Sequence, residues 1–565
     1  MSNRYFRKLL QERILVLASL VLGFLHSWVG RYAMNPDGMS YLDVGDSFFR
    51  RDWANAVNGW WSPLYPWTLG IVLGTLKPSP RWEFPLVQLV NFGVFVFALF
   101  AFRFLLHALL AFGRRQESSI ITSDGEALPE WMFIPLAYST FLWIALEVET
   151  VYDVSPDLAV LAFFCLNSGI LLRLPHHPKT RGFVILGLAL GLGYWTKTIL
   201  FPLGFMTLAV GYLWKRSQKG WGRGMLVATL VFVCSSAPLI FLLSHQKGRF
   251  TFGDSGRVNY AWYVSPRTFW RNWQGEIAES GTPVHATRQL LQHPPLFEFD
   301  GPVAGTYPPW TDPSYWNEGL QHHFKLKPQL QVLSGTVPSE IRLLFRARPE
   351  LVTGVIVLAL LGGPLWLMGL REIWPVIVLP IVGMGLYLPM VENDRYLGGF
   401  ILVLFLALIA AVRLGSESRK SASYVVLAVF VTMMLSTVDY TVRIVTNHLA
   451  IPGNGPNSTW QDVIATEQLR RIGIHPGDKV AVIGDGTDAY WARLAKLRIV
   501  AEIMDANHGS REFWSAPEAV QHRVYETFGR TQAKLVVTNC PSCPSRTLAG
   551  WEQIIGTPYC VRHLD

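Results

Sequence analysis

Charged residues are scarce in this chain of 565 residues. Only 16% of the residues are charged, whereas 50% are hydrophobic, and the mean hydropathy is +0.27. Such a composition is typical of a polytopic membrane protein with a soluble appendage. The length is too great for one ordinary soluble domain, so we expect at least two parts.

Cysteine is also rare, and the few cysteines form no complete metal motif. Cys165 and Cys234 lie inside apolar segments, whereas Cys540, Cys543 and Cys560 cluster near the C-terminus. The Cys-Pro-Ser-Cys segment alone is open to disulfide, metal and redox interpretations, and no second Cys-X-X-Cys or histidine pair completes a zinc site. A disulfide is favoured if this end of the chain is extracytoplasmic.

Motifs for nucleotides and nucleic acids are missing. Gly484-Asp485-Gly486 follows a strand-like run but lacks the G-X-G-X-X-G spacing, and no Walker lysine follows it. The net charge of +9 could suggest nucleic-acid binding, but the basic residues mostly form short turns between apolar runs. The positive-inside rule produces this pattern in membrane proteins. We therefore expect no nucleic-acid partner.

Apolar runs predict about eleven transmembrane helices, each near the length of about 20 residues that a bilayer crossing requires. The predicted spans are residues 14–29, 86–112, 131–146, 158–174, 183–194, 199–214, 225–243, 351–370, 373–390, 397–412 and 424–440. The run 63–76 is short and predicts a helix at the outer interface, with a short span as the alternative. No cleavable signal is evident. The basic turns predict a cytoplasmic N-terminus and, after an odd number of spans, an extracytoplasmic C-terminus, in the inner (plasma) membrane of a bacterium.

The chain divides into two predicted parts. Residues 1–450 form the multi-span part, and residues 451–565 alternate strand-like and helical segments, which predicts a small accessory α/β domain outside the membrane. Two outer loops interrupt the spans, at 31–85 and at 244–348. The second is rich in aromatic residues, which suit sugar rings and equally suit a membrane-interface belt.

The loop 31–85 combines acidic and aromatic residues beside a membrane exit. Asp37 lies just beyond the first span, where a carboxylate can deprotonate an acceptor hydroxyl as a general base, and a solvated loop aspartate is the alternative. Tyr41 shares a helical face with it at i+4. Asp43 and Asp46 are three residues apart and could bind a divalent cation, orient an acceptor, or form a solvated face.

Four motifs in order along residues 1–412 resemble those of the GT-C glycosyltransferases. The nearest branch contains the protein O-mannosyltransferases and the lipid A aminoarabinose transferase. The motifs are Asp37 with Tyr41 and a helix at Pro63-Leu64-Tyr65-Pro66, then Ser155-Pro156-Asp157, then the glycine-rich span from Gly191 to Thr196-Lys197, and then Glu392-Asn393-Asp394-Arg395-Tyr396-Leu397. Two positions depart from the family: Gly38 follows Asp37 where a second acid is frequent, and Trp61-Ser62-Pro63 replaces a Lys-Pro-Pro signature.

This resemblance implies an inverting membrane enzyme with a GT-C-like fold. It would move a hexosyl or pentosyl group from a polyprenyl-phosphate donor to a glycan, lipid or protein acceptor at the outer face. Asp37 is the implied base, with Asp43 as the other catalytic candidate. The implied substrate-binding residues are Tyr41, Trp61, Tyr65, Lys197, Arg395 and Tyr396.

Lys197 and Arg395 would face the donor phosphate, because cations at span ends can hold a phosphate in a low-dielectric site. The alternatives are a snorkelling lysine and an ion pair of Arg395 with Glu392 or Asp394. Asp153 and Asp157 would support the site or hold a divalent cation, which would be the cofactor. The alternative for Asp157 is a plain acid at a helix N-terminus.

Two other functional classes were weighed against the enzyme. A transporter or flippase for a lipid-linked glycan predicts charges within the spans and internally repeated halves, and the sequence has neither. A non-catalytic protein of cell-envelope assembly, docking through its C-terminal domain, remains compatible with the sequence.

Overall fold

The computed structural model describes residues 3–119, 125–176, 178–268, 271–346, 348–390, 393–450, 459–505, 509–539 and 550–564. The helices of the first half are α1 (Asn3–Val29), α2 (Pro36–Phe49), α3 (Trp53–Ala56), α4 (Leu64–Leu76), α5 (Pro80–Ser119), α6 (Glu130–Trp143), α7 (Asp157–Arg173), α8 (Thr180–Thr196), α9 (Leu200–Lys215) and α10 (Trp221–Lys247).

The second half contains the remaining helices and most strands. The helices are α11 (Ser255–Tyr263), α12 (Pro308–Thr311), α13 (Pro313–Trp316), α14 (Leu326–Arg346), α15 (Pro349–Gly362), α16 (Pro364–Glu372), α17 (Trp374–Tyr387), α18 (Gly398–Ala410), α19 (Ser418–Ala450), α20 (Trp460–Arg471), α21 (Tyr490–Ala495), α22 (Gly509–Ser515) and α23 (Glu518–Arg530). The strands are β1 (Glu126–Ala127), β2 (Arg288–Leu291), β3 (Leu296–Glu298), β4 (Arg413–Leu414), β5 (Lys479–Gly484), β6 (Arg498–Met504), β7 (Leu535–Asn539), β8 (Glu552–Gln553) and β9 (Tyr559–His563).

Within the described residues, six helices are long and apolar enough to cross a membrane, in agreement with an integral membrane protein. They comprise most of α1, α5, α10 and α19, together with the stretches Glu130–Val148 and Asp157–His176. Helices α15 and α16 together make a seventh candidate, bent by 108°, and Gly363 at the bend has φ 53°. Four shorter apolar helices, α4, α9, α17 and α18, accompany them. The count of eleven spans stays a prediction.

Helix α2 begins directly beyond α1 and carries the acidic residues of the first loop. Its N-cap Asn35 accepts a hydrogen bond from the backbone of Gly38 at 2.9 Å, and Pro36 occupies the first helical position. Both features favour a helix start, and an acid such as Asp37 in the first turn is stabilised by the helix dipole. The residues that signal a loop in the sequence therefore start a helix.

The crossing of α2 and α4 requires two glycines. A Cβ atom on Gly45 would lie 2.5 Å from the carbonyl oxygen of Pro66, and one on Gly70 would lie 2.1 Å from the carbonyl oxygen of Gly45. The two helix backbones are thus in direct contact. The helix predicted at 63–76 is confirmed as α4.

The larger sheet in the described part of the chain has seven strands in the order β2-β3-β6-β5-β7-β9-β8. Strand β5 pairs in parallel with β6 and β7, and the other pairs are antiparallel. Strands β2 and β3 belong to the loop 244–348, with Phe297 opposite Glu502 of β6. The aromatic outer loop and the C-terminal segment therefore share one sheet.

Both faces of this sheet are covered, as parallel strands require. Val480, Val482 and Val537 pack on one face against Tyr307 of the outer loop, in a cluster that also includes Met39 of α2. On the other face, Ala481, Ile483 and Val536 pack against the helices α22 and α23. The sheet thus contacts the helix that carries the acidic residues.

A buried polar group joins the outer loop to the sheet. Glu502 accepts hydrogen bonds from the hydroxyl of Tyr307 at 2.6 Å and from the side-chain amide of Asn272 at 2.9 Å. Burial raises the pKa of Glu502 to about 7. Nearby, Arg271 pairs with Asp485 after β5. These contacts tie the loop to the carboxyl end of β5 and to β6.

Cys560 of β9 is disulfide-bonded. Its candidate partners Cys540 and Cys543 lie outside the described residues. Cys165 and Cys234 are free.

Candidate functional site

A cavity of about 460 Å³ lies beside the first turn of α2. Its wall combines residues of the two outer loops, residues 196–199 at the end of α8, residues 386, 387 and 390 at the end of α17, and residues 395 and 396 before α18. Of the ten predicted site residues, seven line this cavity: Asp37, Tyr41, Trp61, Asp157, Lys197, Arg395 and Tyr396. Asp43, Tyr65 and Asp153 are not part of its lining.

Arg395 is the centre of an ion-pair network at one end of the cavity. Its guanidinium nitrogens lie 2.6 Å from Asp37 Oδ2, 2.8 Å from Asp153 Oδ2 and 3.5 Å from Asp157 Oδ2. Lys197 Nζ lies 2.5 Å from Asp157 Oδ1. Three carboxylates thus surround two cations, and the group keeps one net negative charge.

This network bears on the alternatives given for the two cations, whose contact with a donor phosphate stays a prediction. Burial disfavours a charged Arg395, but the attraction of Asp157, Asp37 and Asp153 outweighs it and raises the pKa of Arg395 above its ordinary value. Glu392, one of the two alternative partners of Arg395 within its own motif, lies outside the described residues. Lys197 does not simply extend towards an interface, since it is paired with Asp157 and lies 3.7 Å from the ring centroid of Tyr396.

No group of three or more His, Cys, Asp or Glu side chains in the described part of the chain is arranged to hold a metal ion. Asp153 and Asp157, the two predicted metal ligands, are bridged by the guanidinium of Arg395. A protein cation therefore occupies the position between these carboxylates that a divalent ion would need. The present geometry does not fit a metal, and the cofactor stays a prediction.

Aromatic residues of both outer loops meet next to Asp37. Trp60 and Trp61 of the first loop contact Trp310 of the second, with ring centroids about 6 Å apart. Trp262 stacks on Trp310 with an interplanar angle of 14°, and the Trp310 indole donates to Asp37 Oδ1 at 3.3 Å. The loops 31–85 and 244–348 thus build one surface around the acid.

Tyr41 and Tyr65 pack in one hydrophobic cluster with Trp61. The ring of Tyr41 contacts both Trp61 and Tyr65 edge-on, with centroids 4.8 and 5.2 Å apart. The hydroxyl of Tyr65 donates to Asn91 Oδ1 at 2.6 Å. Tyr65 is thus engaged with α5, and a direct substrate contact by it remains a prediction.

Asp43 lies on another face of α2, in a buried cluster with residues of the C-terminal segment. Its Oδ1 accepts hydrogen bonds from Arg493 at 2.9 Å and from the Thr306 hydroxyl at 3.0 Å, and its Oδ2 accepts from the Thr306 backbone at 2.7 Å. Arg493 also binds Asp46 at 2.6 Å and Glu83 at 3.0 Å. Both oxygens of Asp43 are therefore occupied away from the cavity, and its catalytic role stays untested.

The two aspartates of this cluster differ in acidity. Burial raises the pKa of Asp43 and outweighs the attraction of Arg493. At Asp46, burial is overcome by the attraction of Arg493 and Lys496, so the pKa falls below its ordinary value. Asp46 is therefore the firmly ionised partner of Arg493.

The sequence interpretation missed three charged residues of the cavity wall. Arg249 forms two contacts with Asp254, at 2.7 and 2.8 Å. Arg257 donates one Nη1 hydrogen bond to the carbonyl of Leu320. Its Nε and Nη2 atoms are buried and have no hydrogen-bond partner among the described residues, and the nearest acid, Asp254, is 3.9 Å away.

One sequence signal for this segment was present. Residues 249–257 place Gly253 between two arginines, where it has φ 137°. A Cβ atom there would lie 2.7 Å from the side chain of Thr198, so the loop can approach Lys197 and Thr198 only with glycine.

Comparisons with known proteins identify the fold. ArnT from Cupriavidus metallidurans, bound to undecaprenyl phosphate, superposes with a TM-score of 0.54 at 13% identity, over 97% of each chain. An oligosaccharyltransferase from Archaeoglobus fulgidus superposes with a TM-score of 0.50 at 11% identity, over 93% of this chain and 68% of its own. No protein-family model and no curated protein matches the sequence. The chain has the fold of the GT-C glycosyltransferases, the family that its four motifs resemble.

Proposed function

We propose that this protein transfers a sugar from a polyprenyl-phosphate donor to an acceptor, in the cavity beside α2. One observation carries the proposal: the cavity wall contains both the Asp37 carboxylate and Arg257, whose Nε and Nη2 atoms have no hydrogen-bond partner among the described residues. The ArnT structure with undecaprenyl phosphate supports a lipid-linked donor. Inversion at the sugar carbon follows if the acceptor attacks directly.

Asp37 would act as the general base. It lies in the first turn of α2 at the cavity wall, next to the tryptophan surface that can accept a sugar ring. Arg395 binds Asp37 Oδ2 and Trp310 binds Oδ1 at the longer distance of 3.3 Å. An acceptor hydroxyl that displaced the weak Trp310 contact would meet a carboxylate oxygen in hydrogen-bonding range.

The donor phosphate would bind at the arginine end of the cavity. Lys197 and Arg395 already share three carboxylates, so a phosphate bound there must compete with them. Arg257 is less strongly engaged, because its Nε and Nη2 atoms have no hydrogen-bond partner among the described residues and the Asp254 carboxylate is 3.9 Å away. Charge-assisted hydrogen bonds from guanidinium to phosphate are strong and geometrically specific. Arg257 is therefore the primary phosphate ligand in this proposal, with Lys197 and Arg395 on the sugar side.

The direct test uses the purified protein in lipid nanodiscs. It is incubated with a panel of polyprenyl-phosphate sugars and candidate glycan, lipid and protein acceptors, and release of the polyprenyl phosphate is followed. We expect one donor to be consumed and its sugar to appear on an acceptor. Reversible binding of every donor without release of lipid phosphate would instead support the transporter.

Arg257→Ala is expected to weaken donor binding about 10- to 100-fold, because it removes charge-assisted hydrogen bonds to phosphate. The affinity for a polyprenyl phosphate is measured in nanodiscs by a binding titration. Arg288→Ala is the matched control, since Arg288 is an exposed arginine on β2 that pairs with Glu298 outside the cavity. Equal affinity for the Arg257 variant and the control would exclude Arg257 as the phosphate ligand.

Orientation in the inner membrane is part of the proposal. A cysteine placed at Arg511, an exposed position of α22, should react with an impermeant thiol reagent added from outside. A cysteine placed at Ser118, at the end of α5, should react only after the membrane is opened. The reverse labelling pattern would place the α/β sheet in the cytoplasm.

A further inference from the structure

Helix α14 turns two polar side chains, Gln329 and Thr336, towards the protein. The side-chain amide of Gln329 donates to the carbonyl oxygen of Pro389 at 3.0 Å, and its Oε1 accepts from the Tyr260 hydroxyl at 2.8 Å. The Thr336 hydroxyl donates to the carbonyl oxygen of Leu388 at 2.9 Å. Both Gln329 and Thr336 are buried. A helix on the surface of a soluble protein buries its apolar face instead.

Most of the exposed surface of α14 is apolar, whereas Leu343 near the end of the helix is buried in the core of the helical part. At 3.6 residues per turn the exposed apolar side chains form one stripe. Its members are Leu326, Leu330, Val337, Ile341 and Phe345. Leu330 is 55% exposed, Ile341 51% and Phe345 53%. A continuous apolar stripe of this length is unfavourable in water and indicates a partner surface.

A third face of α14 is polar and exposed. Lys327, Gln331 and Arg342 lie on it, beside the apolar stripe and opposite the buried face. One helix thus has a protein side, an apolar side and a charged side. This division is typical of a helix that lies in the plane of a membrane interface.

The surroundings of the apolar stripe indicate what covers it. Leu344 and Phe345 line an apolar groove of about 540 Å³ with Val352 and Ile356 of α15, and residues of α16 and α18 complete it. Helices α15 and α16 together are a candidate membrane span. The apolar surface of α14 therefore continues directly into surface that faces lipid tails.

We infer that α14 lies in the plane of the bilayer, in the leaflet on the cavity side, with its apolar stripe among the acyl chains. Its buried face holds the carbonyls of Leu388 and Pro389 at the end of α17. Tyr387 and Met390, on either side of them, line the cavity. Lipid contact by α14 thus fixes one wall of the cavity. This inference does not depend on the chemistry proposed for the cavity.

Site-directed fluorescence quenching tests it. Single cysteines replace Leu330 or Ile341 on the stripe and Gln331 or Arg342 on the charged face, in the intact chain with the exposed Cys234 changed to serine. Each variant is labelled with bimane in nanodiscs. Quenching is measured with lipids that are brominated on the acyl chain and, separately, with iodide in the water phase. The unsubstituted background corrects for other labelled thiols.

We expect brominated lipid to quench the Leu330 and Ile341 probes about threefold more than the two probes on the charged face, because an interfacial helix buries one face at the depth of the acyl chains. Iodide should show the opposite order. Size-exclusion profiles identify variants that do not fold. If a variant on the apolar stripe fails this check, a cysteine at Val337 replaces it. Equal access of iodide to all four probes would overturn the inference, and so would a stripe that neither quencher reaches, since another protein would then cover it.

Discussion

Asp37→Asn is expected to lower turnover by about 10²–10⁴-fold, the usual contribution of a general base, which corresponds to roughly 3–5 kcal/mol in the barrier. Asparagine preserves the size of the side chain and most of its hydrogen bonding, but it cannot accept the proton of the acceptor hydroxyl. Asp153 and Asp157 still hold Arg395 in the variant. Expression, folding and donor affinity should therefore stay close to those of the parent protein.

The measurement is initial-rate release of polyprenyl phosphate, once a donor has been found, together with a donor-binding titration. Asp52→Asn is the control, because Asp52 belongs to the same loop, accepts from Asn55 and does not line the cavity. An Asp37→Asn protein that keeps more than about a tenth of parental turnover falls short of the hundredfold minimum for a base. That result would remove Asp37 from the role.

Asp43→Asn separates the two predicted catalytic acids. Asp43 contacts Arg493 and Thr306 rather than the cavity. The variant should therefore be less stable, while each folded molecule retains most of its turnover. A loss of turnover in Asp43→Asn that equals the loss in Asp37→Asn, without a loss of stability, would reverse the assignment.

Arg493→Met is expected to give the largest loss of stability. Arg493 of α21 is buried against α2 and α5 and contacts Asp43, Asp46 and Glu83. Methionine fills similar space but leaves these carboxylates with Lys496 as the remaining cation of the cluster. Removing one partner of a buried ion pair typically costs about 3–5 kcal/mol. The midpoint of thermal unfolding in detergent should fall accordingly.

A second ion pair across the same junction provides the matched control. Arg81 of α5 contacts Glu467 of α20 at 2.7 Å, and both side chains are largely exposed. Because exposed ion pairs contribute little, Arg81→Met should leave the midpoint nearly unchanged. If both variants unfold at the parental temperature, Arg493 does not join the C-terminal segment to α2.

Local patterns in the sequence predicted the elements that carry the site. The apolar runs predicted the helical membrane part, the run 63–76 predicted α4, and the strand-like run 479–483 predicted β5. The four motifs predicted the GT-C fold, which the structural comparisons confirm. These features depend on residues that are close in sequence.

These local patterns could not predict contacts between residues that are distant in the sequence. Arg395 was predicted to face a donor phosphate, with an ion pair inside its own motif as the alternative, and neither interpretation included its contact with Asp37, which lies 358 positions away. Arg493 binds Asp43 across 450 positions. Neither acid could be matched to its cation from spacing, since no repeat or register relates them. The Arg257 N–H groups that have no hydrogen-bond partner among the described residues likewise depend on packing that the sequence does not display.

The shared sheet has a consequence for how the protein is made. The β2–β3 hairpin is synthesised before α15–α19, and β3 can pair with β6 only after β6 has been synthesised. The pairing of Phe297 with Glu502 closes a loop of roughly two hundred residues, and contacts this distant in sequence form slowly. Until then β3 presents an unpaired edge, a surface that promotes association with other chains. Chains that stop before β6 contain every cavity residue but keep this edge open. We therefore expect them to aggregate or to be degraded, so that sheet closure distinguishes finished chains from incomplete ones.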